Sequence, residues 1–216
     1  MKGNTEKPLS GWKKRHEELI RCAFECFGRA GIETTALADV AAMAQVGEAT
    51  LYRHFLNKEN LVLECGISFW QMASDYYEKL AEGTDYQKKR GIEQIDALLL
   101  LTQRLYEDNR LKFKFLHDLD VYLTTHSAEE KLLKEYEDLV NRAKPILCDA
   151  IEQGKADRTV TCLADTEEIY YTLTHTILSL MQKLAGIGQM LSGDAAVTEE
   201  RRIALLRKLL LAGLQA

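Results

Sequence analysis

Gln45–Phe55, which reads QVGEATLYRHF, is the stretch that decides the fold. Leu51 and Phe55 stand four residues apart, so on a helix both side chains point to the same inward side. Three polar residues lie between these apolar anchors, on the outward side and its flanks: Tyr52, Arg53 and His54. The pattern predicts a short amphipathic helix that presents hydrogen-bond donors to a partner.

A second short helix is predicted directly before this one. Apolar residues recur at helical spacing from Leu37 to Ala44, and only three residues, 45–47, separate that segment from Glu48–Phe55. Three residues are too few for anything but a tight turn. The two segments therefore form two crossed helices, which is the pattern of a helix-turn-helix.

Longer helices are predicted on both sides of this pair. The first follows Ser10, runs to Ala30 and stops at Gly31, because glycine adopts the left-handed conformation that often ends a helix. Its apolar stripe contains Trp12, Leu19, Ile20, Ala23, Phe24 and Phe27. The helix after the pair begins at Lys58 with Asn57 as its N-cap and extends to about Glu82. The helix-turn-helix thus rests between two longer helices.

The remaining chain is predicted to be a helical bundle, with Pro145 breaking or kinking one of its helices. Its predicted segments are Gly91–Asn109, Leu111–Leu123, Ala128–Gln153, Thr166–Met190 and Glu199–Leu214, with capping boxes at Ser127/Glu130 and Asp165/Glu168. Strand patterns are nearly absent, so the fold class is all-α, with about nine helices. We expect a helix-turn-helix head over residues 1–57 and a helical bundle over residues 58–216.

Composition limits the function classes. The chain has 216 residues, of which 46% are hydrophobic, and its net charge is −5. Nine basic and nine acidic residues precede position 65, so a DNA contact must come from a local cluster and not from the net field. No signal peptide or membrane-length apolar run is evident, so a cytoplasmic protein without a membrane partner is expected. Five scattered cysteines indicate reduced thiols, and a redox role for Cys22 and Cys26 stays open.

The polar side chains of the second short helix suit a DNA partner. A phenol, a guanidinium and an imidazole all donate to phosphate oxygens, and Arg53 also suits guanine edges. The small side chains of Ala49 and Thr50 allow close approach to a groove. Basic residues of the flanking helices extend this surface: Lys14, Arg15 and Lys58. The alternative for the Lys-Lys-Arg run at 13–15 is an ordinary solvated face.

Gly31–Val62, GIETTALADVAAMAQVGEATLYRHFLNKENLV, resembles the DNA-binding domain of TetR-type (TetR/AcrR-like) transcriptional regulators. The resemblance lies in the Thr-Thr pair, the Thr-Leu-Tyr-x-His-Phe box and the Lys-Glu-x-Leu start of the next helix. It implies a homodimer that binds an operator in double-stranded DNA and is released by a small effector. It also implies that residues 1–57 form the DNA-binding head and that residues 58–216 form an effector-binding and dimerisation domain. The family's DNA contacts, carried over by position, are Thr35, Gly47, Glu48, Ala49, Thr50, Tyr52, Arg53, His54 and Lys58.

Four positions depart from the usual pattern of that family. Ala36 replaces a common Ser or Thr, so capping of the second helix is assigned to Thr35. Gln45 stands where glycine is usual, which predicts a left-handed glutamine in the turn. Gly47 replaces a common serine and Ala49 a common glycine. These exchanges leave DNA binding intact and the operator sequence open.

The C-terminal segments Glu168–Met190 and Glu199–Leu214 are apolar around more of their circumference than one buried stripe needs. The excess predicts a two-fold, four-helix dimer interface. Its predicted residues are Ile177, Leu180, Met181, Leu184, Gly188, Ile203, Leu206 and Leu210. The candidate residues for the effector pocket are aromatic or polar: Trp70, Tyr106, Phe113, Phe115, His117, Tyr122, Tyr170 and His175.

Two other functions compete with a ligand-responsive repressor. An all-α enzyme is disfavoured because the sequence has no G-x-S-x-G, G-x-G-x-x-G, H-E-x-x-H or Walker motif, and no cofactor is expected. A scaffold or ligand carrier without DNA binding fits the neutral charge of the N-terminal part. A metal site at His117 with Asp118 and Asp120 lacks the helical spacing of a ligand set. Neither the effector nor the direction of regulation follows from the sequence.

Overall fold

A computed structural model describes residues 11–186, 188 and 196–216. The described residues form helices and connecting turns without strands. The helices are α1 (Gly11–Ala30), α2 (Leu37–Met43), α3 (Glu48–Phe55), α4 (Lys58–Ala81), α5 (Thr84–Gln87), α6 (Gly91–Asp108), α7 (Arg110–Tyr122), α8 (Glu130–Asn141), α9 (Lys144–Ala156), α10 (Thr166–Gly186) and α11 (Glu199–Leu214). The all-α class is confirmed.

The described part contains eleven helices, two more than the predicted nine. One is the four-residue α5, which is too short to show a periodic pattern. The other arises because the predicted helix 128–153 is interrupted before Lys144, which gives α8 and α9. Pro145 then lies in the first turn of α9, where its missing N–H costs no hydrogen bond. The predicted start of α8 at Ser127 is wrong, since Glu129 is its N-cap. The Asp165/Glu168 box before α10 is confirmed by both reciprocal hydrogen bonds.

Helices α1, α2 and α3 pack around one apolar centre at the N-terminal end. Leu51 and Phe55 of α3 are buried, as predicted, against α1 and α2. Gly31 has φ of 91° and its N–H donates to the carbonyl of Phe27 at 2.8 Å, which confirms the predicted stop of α1. Trp12 was expected on the buried stripe but is 57% exposed.

The start of α2 differs from the prediction. Its N-cap is Ala36, which has no side-chain acceptor, and the Asp39 carboxylate instead accepts the N–H of Ala36 at 2.8 Å. Thr35 is buried, and its hydroxyl donates to the carbonyl of Gly31 at 2.7 Å. Thr35 therefore fastens the α1–α2 connection. Neither the capping role nor the DNA contact assigned to it agrees with this position.

The turn between α2 and α3 contains the predicted left-handed glutamine. Gln45 has φ of 54° and an exposed side chain, so its conformation is strained without a compensating buried contact. We expect Gln45→Gly to raise the free energy of unfolding by about 1 kcal/mol, since glycine adopts this φ without a steric penalty. Thermal denaturation measures the change, which corresponds to roughly 2–4 °C in a chain of this size.

A matched control for this exchange is Ala42→Gly on the exposed side of α2. Both variants introduce one glycine, but Ala42 lies inside a helix, where glycine costs about 1 kcal/mol relative to alanine. The two substitutions are therefore expected to shift the melting temperature in opposite directions. Equal destabilisation by both would show that the turn stores no strain.

Helices α6 and α9 cross at a point where only glycine fits. A Cβ atom built on Gly91 would lie 2.0 Å from the backbone nitrogen of Gly154. The loop after α9 also caps α6: the Asp157 carboxylate accepts the N–H of Gly91 at 2.8 Å, and the Thr159 hydroxyl accepts that of Ile92 at 3.1 Å. This contact fixes one side of the helical bundle that surrounds α4.

Membrane-spanning helices and disulfides are both absent from the described residues. No described helix is both long and apolar enough to span a bilayer. The five cysteines are free thiols, of which Cys22, Cys26 and Cys65 are buried. Burial raises the pKa of both Cys26 and Cys65, which disfavours the reactive thiolate.

Candidate DNA-binding surface and effector cavity

The outer face of α3 is open to solvent. Gly47 begins α3 as its N-cap, and no atom lies within 4 Å of a Cβ built there. Glu48, Ala49 and Arg53 are exposed, and Tyr52 keeps 49% of its surface accessible. Thr50 is half-buried. Most of the residues predicted to contact DNA on α3 therefore share one accessible face.

Arg53 is available for a new partner. It is exposed, and no described residue forms an ion pair with it. A guanidinium in this position can donate to a phosphate or to the edge of a guanine. Tyr52 stands beside it and adds a phenolic donor to the same face.

His54 is placed differently from its two polar neighbours. Its ring stacks on Trp12 at 4.7 Å between centroids and lies 5.6 Å from the ring of His16. Burial and the nearby cationic side chains lower the pKa of His54, so the ring is neutral near pH 7. His54 thus joins α3 to α1, and the DNA contact predicted for it does not agree with this packing.

The three basic residues outside α3 differ in their surroundings. Lys58 is the first residue of α4, as predicted, and its ammonium donates to the carbonyl of Glu33 at 3.2 Å. Asn57 is confirmed as the N-cap, since its side chain accepts the N–H of Asn60 at 2.8 Å. Arg15 is exposed and pairs with Glu18 at 2.8 Å, whereas Lys14 is exposed on the same first turns of α1.

A cavity of about 540 Å³ lies in the C-terminal bundle, enclosed by α4, α6, α7, α8, α9 and α10. Its floor is apolar and includes Leu98, Leu99 and Leu116. Aromatic rings form much of the wall, and polar side chains such as Asp120 and His175 stand at the exposed mouth. This size and this mixture of apolar walls with few polar groups are typical of a small-molecule site.

The family of the N-terminal part follows from a direct match. Residues 19–65 match the family model of bacterial regulatory proteins of the tetR family. Over this segment the chain is similar to the TetR family. The matched segment contains the C-terminal part of α1, all of α2 and α3, and the first turns of α4, so it includes the exposed face of α3. The helix-turn-helix of this chain is therefore similar to that of TetR-family regulators, and we call the matched part the TetR-type head.

A curated relative and two solved structures extend the comparison. The HTH-type transcriptional regulator LuxR of Vibrio harveyi is 43% identical over 51 residues, which cover 24% of this chain and 25% of that protein. A TetR-family regulator from Agrobacterium tumefaciens has a TM-score of 0.73 at 16% identity, covering 95% of this chain and all of that one. FadR of Bacillus subtilis, solved with stearoyl-CoA, has a TM-score of 0.68 at 16% identity over 92% and 98%.

These comparisons carry different weight along the chain. The sequence match to LuxR spans about a quarter of that relative and concerns the TetR-type head alone. The structural matches span nearly the whole chain at low identity, so they show that the C-terminal bundle has the fold found in TetR-family proteins. What this bundle binds must be argued from its own residues.

Three of the eight predicted effector residues line the cavity, namely Trp70, Tyr170 and His175. The other five lie outside the lining of this cavity. Phe113 packs between Phe69 and Tyr106, and the Tyr106 hydroxyl donates to the Glu199 carboxylate at 2.7 Å. Phe115 packs edge-on against Phe24, while His117 lies against Gly186 and Tyr122 stacks on His126.

The sequence analysis missed most of the cavity. Tyr77 and Tyr136 belong to its wall, and Asp120 was considered only as part of a metal site. The helical spacing of aromatic residues marks every buried face equally, so it gives no sign of which face surrounds an opening. Which aromatic side chains line the cavity depends on how the six helices around it pack against one another.

Part of the predicted dimer surface is covered by the protomer itself. Ile177, Met181, Leu184 and Ile203 are buried in its own core, so the prediction that they meet a partner is wrong. Leu180, Leu206, Leu210 and Gly188 are half-buried. The large apolar residues that α11 leaves exposed are Leu205 and Leu209, at 58% and 60%. Met190, the predicted end of α10, lies outside the described residues.

Proposed function

We propose that the chain is a ligand-responsive transcriptional repressor that binds a palindromic operator as a homodimer. The observation that carries this proposal is the position of α4. Its N-cap, Asn57, ends the TetR-type head, and about three turns further on Trp70, Ala73, Ser74 and Tyr77 line the cavity. A ligand in the cavity therefore contacts the same rigid element that positions the head.

Helix α7 provides a second connection between cavity and head. Leu116 and Asp120 face the cavity, whereas Phe115 packs on Phe24 of α1 at 5.0 Å. At the end of α7, the Tyr122 hydroxyl donates to the Glu59 carboxylate at 3.2 Å. A shift of α4 and α7 on ligand binding would reorient the head and change the spacing of two heads in a dimer.

The proposed dimer pairs the exposed faces of α10 and α11. On α11, Leu205 and Leu209 stand one turn apart and open to solvent, and α10 packs beside this helix. Two such faces related by a two-fold axis form a four-helix interface. A dimer sets two recognition helices about 34 Å apart, one turn of DNA, which matches two half-sites of a palindrome.

We expect the double substitution Leu205→Glu and Leu209→Glu to convert the dimer to a monomer at micromolar concentration. Four glutamates per dimer would lie in an apolar interface without partners, which costs several kcal/mol. Sedimentation velocity measures the change. The control is Leu163→Glu, because Leu163 is a fully exposed leucine in the loop between α9 and α10. A wild-type chain that sediments as a monomer contradicts the proposed dimer.

The proposal also covers the remaining assignments. We place the DNA-binding head at residues 1–57 and the effector and dimer domain at residues 58–216, with α4 belonging mainly to the second. The DNA contacts are the exposed residues of α3 together with Lys14, Arg15 and Lys58. Because a bacterial operator lies in the cytoplasm, this function places the chain there as a regulator and not as an enzyme.

FadR, of similar fold, was solved with stearoyl-CoA, which supports an effector with a large apolar part.

The experiment that tests this function measures DNA release. A duplex selected by the full chain from a random library is labelled, and its fluorescence anisotropy is followed while compounds that raise the melting temperature of the chain are added. Compounds that bind the cavity are expected to release the duplex, because the ligand favours one head spacing over the other. If several such ligands leave DNA affinity unchanged, the cavity does not regulate the head.

A further inference from the structure

The walls of the cavity are rich in aromatic rings. Five rings contribute to the lining: Trp70, Tyr77, Tyr136, Tyr170 and Tyr171. The polar ends of three are held in place, since Tyr77 and Thr102 share a hydrogen bond of 2.5 Å and Trp70 Nε1 donates to the Tyr136 hydroxyl at 3.3 Å. Fixed ring faces carry negative partial charge and attract cations.

The charged side chains of the lining have one sign. Asp120 and Glu137 are the carboxylates of the described lining, and it includes no lysine or arginine. The Asp120 carboxylate accepts only the neutral amide of Gln182, at 2.9 Å. Asp120 lies at the exposed mouth of the cavity, and desolvation by neighbouring side chains raises the pKa of its carboxyl group. A cation bound beside it would stabilise the charged form.

The basic residues nearest the cavity are already neutralised. Lys144 donates to the Glu167 carboxylate at 2.6 Å, and Arg142 makes two hydrogen bonds to Glu78. The ammonium of Lys144 also lies 4.7 Å from the ring centre of Tyr171, at the edge of the cavity. The same ammonium donates to the Tyr171 hydroxyl at 3.2 Å, so this tyrosine already holds a cation beside the cavity by a hydrogen bond and by its ring face.

We propose that the cavity selects an organic cation with a bulky apolar or aromatic body, its charge held between Asp120, Glu137 and the tyrosine rings. This ligand class rests on the proposed function insofar as the cavity is the effector site. An anionic ligand of equal size meets two carboxylates and no lysine or arginine of the lining, so it is disfavoured. A neutral ligand fills the volume without compensating the charge of Asp120.

Two ions of nearly equal shape and opposite charge test this assignment. Tetraphenylphosphonium and tetraphenylborate are titrated separately into the full wild-type chain by isothermal calorimetry. The phosphonium is expected to bind at least about tenfold more tightly than the borate, because only the cation is compensated by carboxylates and rings. Equal affinity for both ions, or tighter binding of the borate, overturns the assignment.

Variants locate the binding in the cavity. Asp120→Asn and Glu137→Gln are each expected to weaken phosphonium binding by about fivefold to tenfold while leaving borate affinity equal or higher. Asp138→Asn removes the same charge from an exposed residue of α8 outside the lining and is expected to have no effect. Phosphonium affinity that is the same in all three variants overturns the assignment, because the cation then binds elsewhere.

Two different measurements test the ligand class and the regulation of DNA binding, so each hypothesis can fail without the other. Calorimetry uses free protein and reports only the ligand class. If the phosphonium binds with the predicted dependence on Asp120 and Glu137 but does not release DNA, the assigned class holds and the regulatory function fails. If DNA is released by ligands whose binding ignores both carboxylates, the regulatory function holds and the assigned class fails.

Discussion

Replacing Gly91 with alanine is expected to lower the free energy of unfolding by about 3 kcal/mol or more. The added methyl group would lie 2.0 Å from the nitrogen and 2.2 Å from the Cα of Gly154, and both atoms belong to the backbone. Neither can rotate away, so α6 and α9 must separate. In a chain of this size the melting temperature should fall by roughly 6–12 °C.

Gly11→Ala is the control for this effect. Gly11 is the first residue of α1, and a Cβ there meets no atom within 4 Å. The same chemical change is therefore expected to shift stability by less than about 0.5 kcal/mol. If Gly91→Ala melts within 2 °C of the wild type, roughly the effect of a surface substitution, the close crossing of α6 and α9 is not a tight contact.

Arg53→Ala is expected to weaken operator binding by at least about tenfold. A lost contact to a base edge or phosphate costs roughly 1–3 kcal/mol, and a dimer loses one in each head. The guanidinium is exposed and has no ion pair among described residues, so the folded head keeps its packing. Anisotropy of a labelled operator duplex, measured at two salt concentrations, gives the change in affinity and in salt dependence.

Arg104→Ala serves as the matched control for Arg53→Ala. Arg104 is exposed on α6, in the C-terminal bundle, and its removal changes the net charge equally. If both variants lose the same affinity, binding depends on the total charge and not on the face of α3. Loss confined to Arg53→Ala assigns the contact to the head. The difference between the variants at low and high salt then separates a phosphate contact from base recognition.

The head was predictable because its signals are local. Leu51 and Phe55 stand at helical spacing, a three-residue turn joins two helices, and Gly31 ends α1 by its backbone freedom. The left-handed Gln45 was predictable from the resemblance, since glycine is usual at this position of the TetR-type turn, and its φ is positive. His54 was not, because its side chain is half-buried by a ring of Trp12 that comes from another helix.

The C-terminal domain was predictable only as a set of helices. Phe113 and Trp70 are both aromatic residues at helical spacing, yet one fills the core and the other lines a cavity. Ile177 and Leu205 are both aliphatic, yet one is buried by its own protomer and the other is exposed. The choice depends on the angles between helices distant in sequence, and a single sequence carries no direct record of those angles.

The central claim is that a dimer reads a palindrome through α3, and sequence selection tests it most directly. The full chain is used to enrich duplexes from a random library, and the selected pool is sequenced and bound again by the wild type and Arg53→Ala. The account predicts a two-fold symmetric site with half-sites roughly 10 base pairs apart, bound at least about tenfold more weakly by the variant. A pool without a common sequence, or one that the variant binds equally well, would contradict the account.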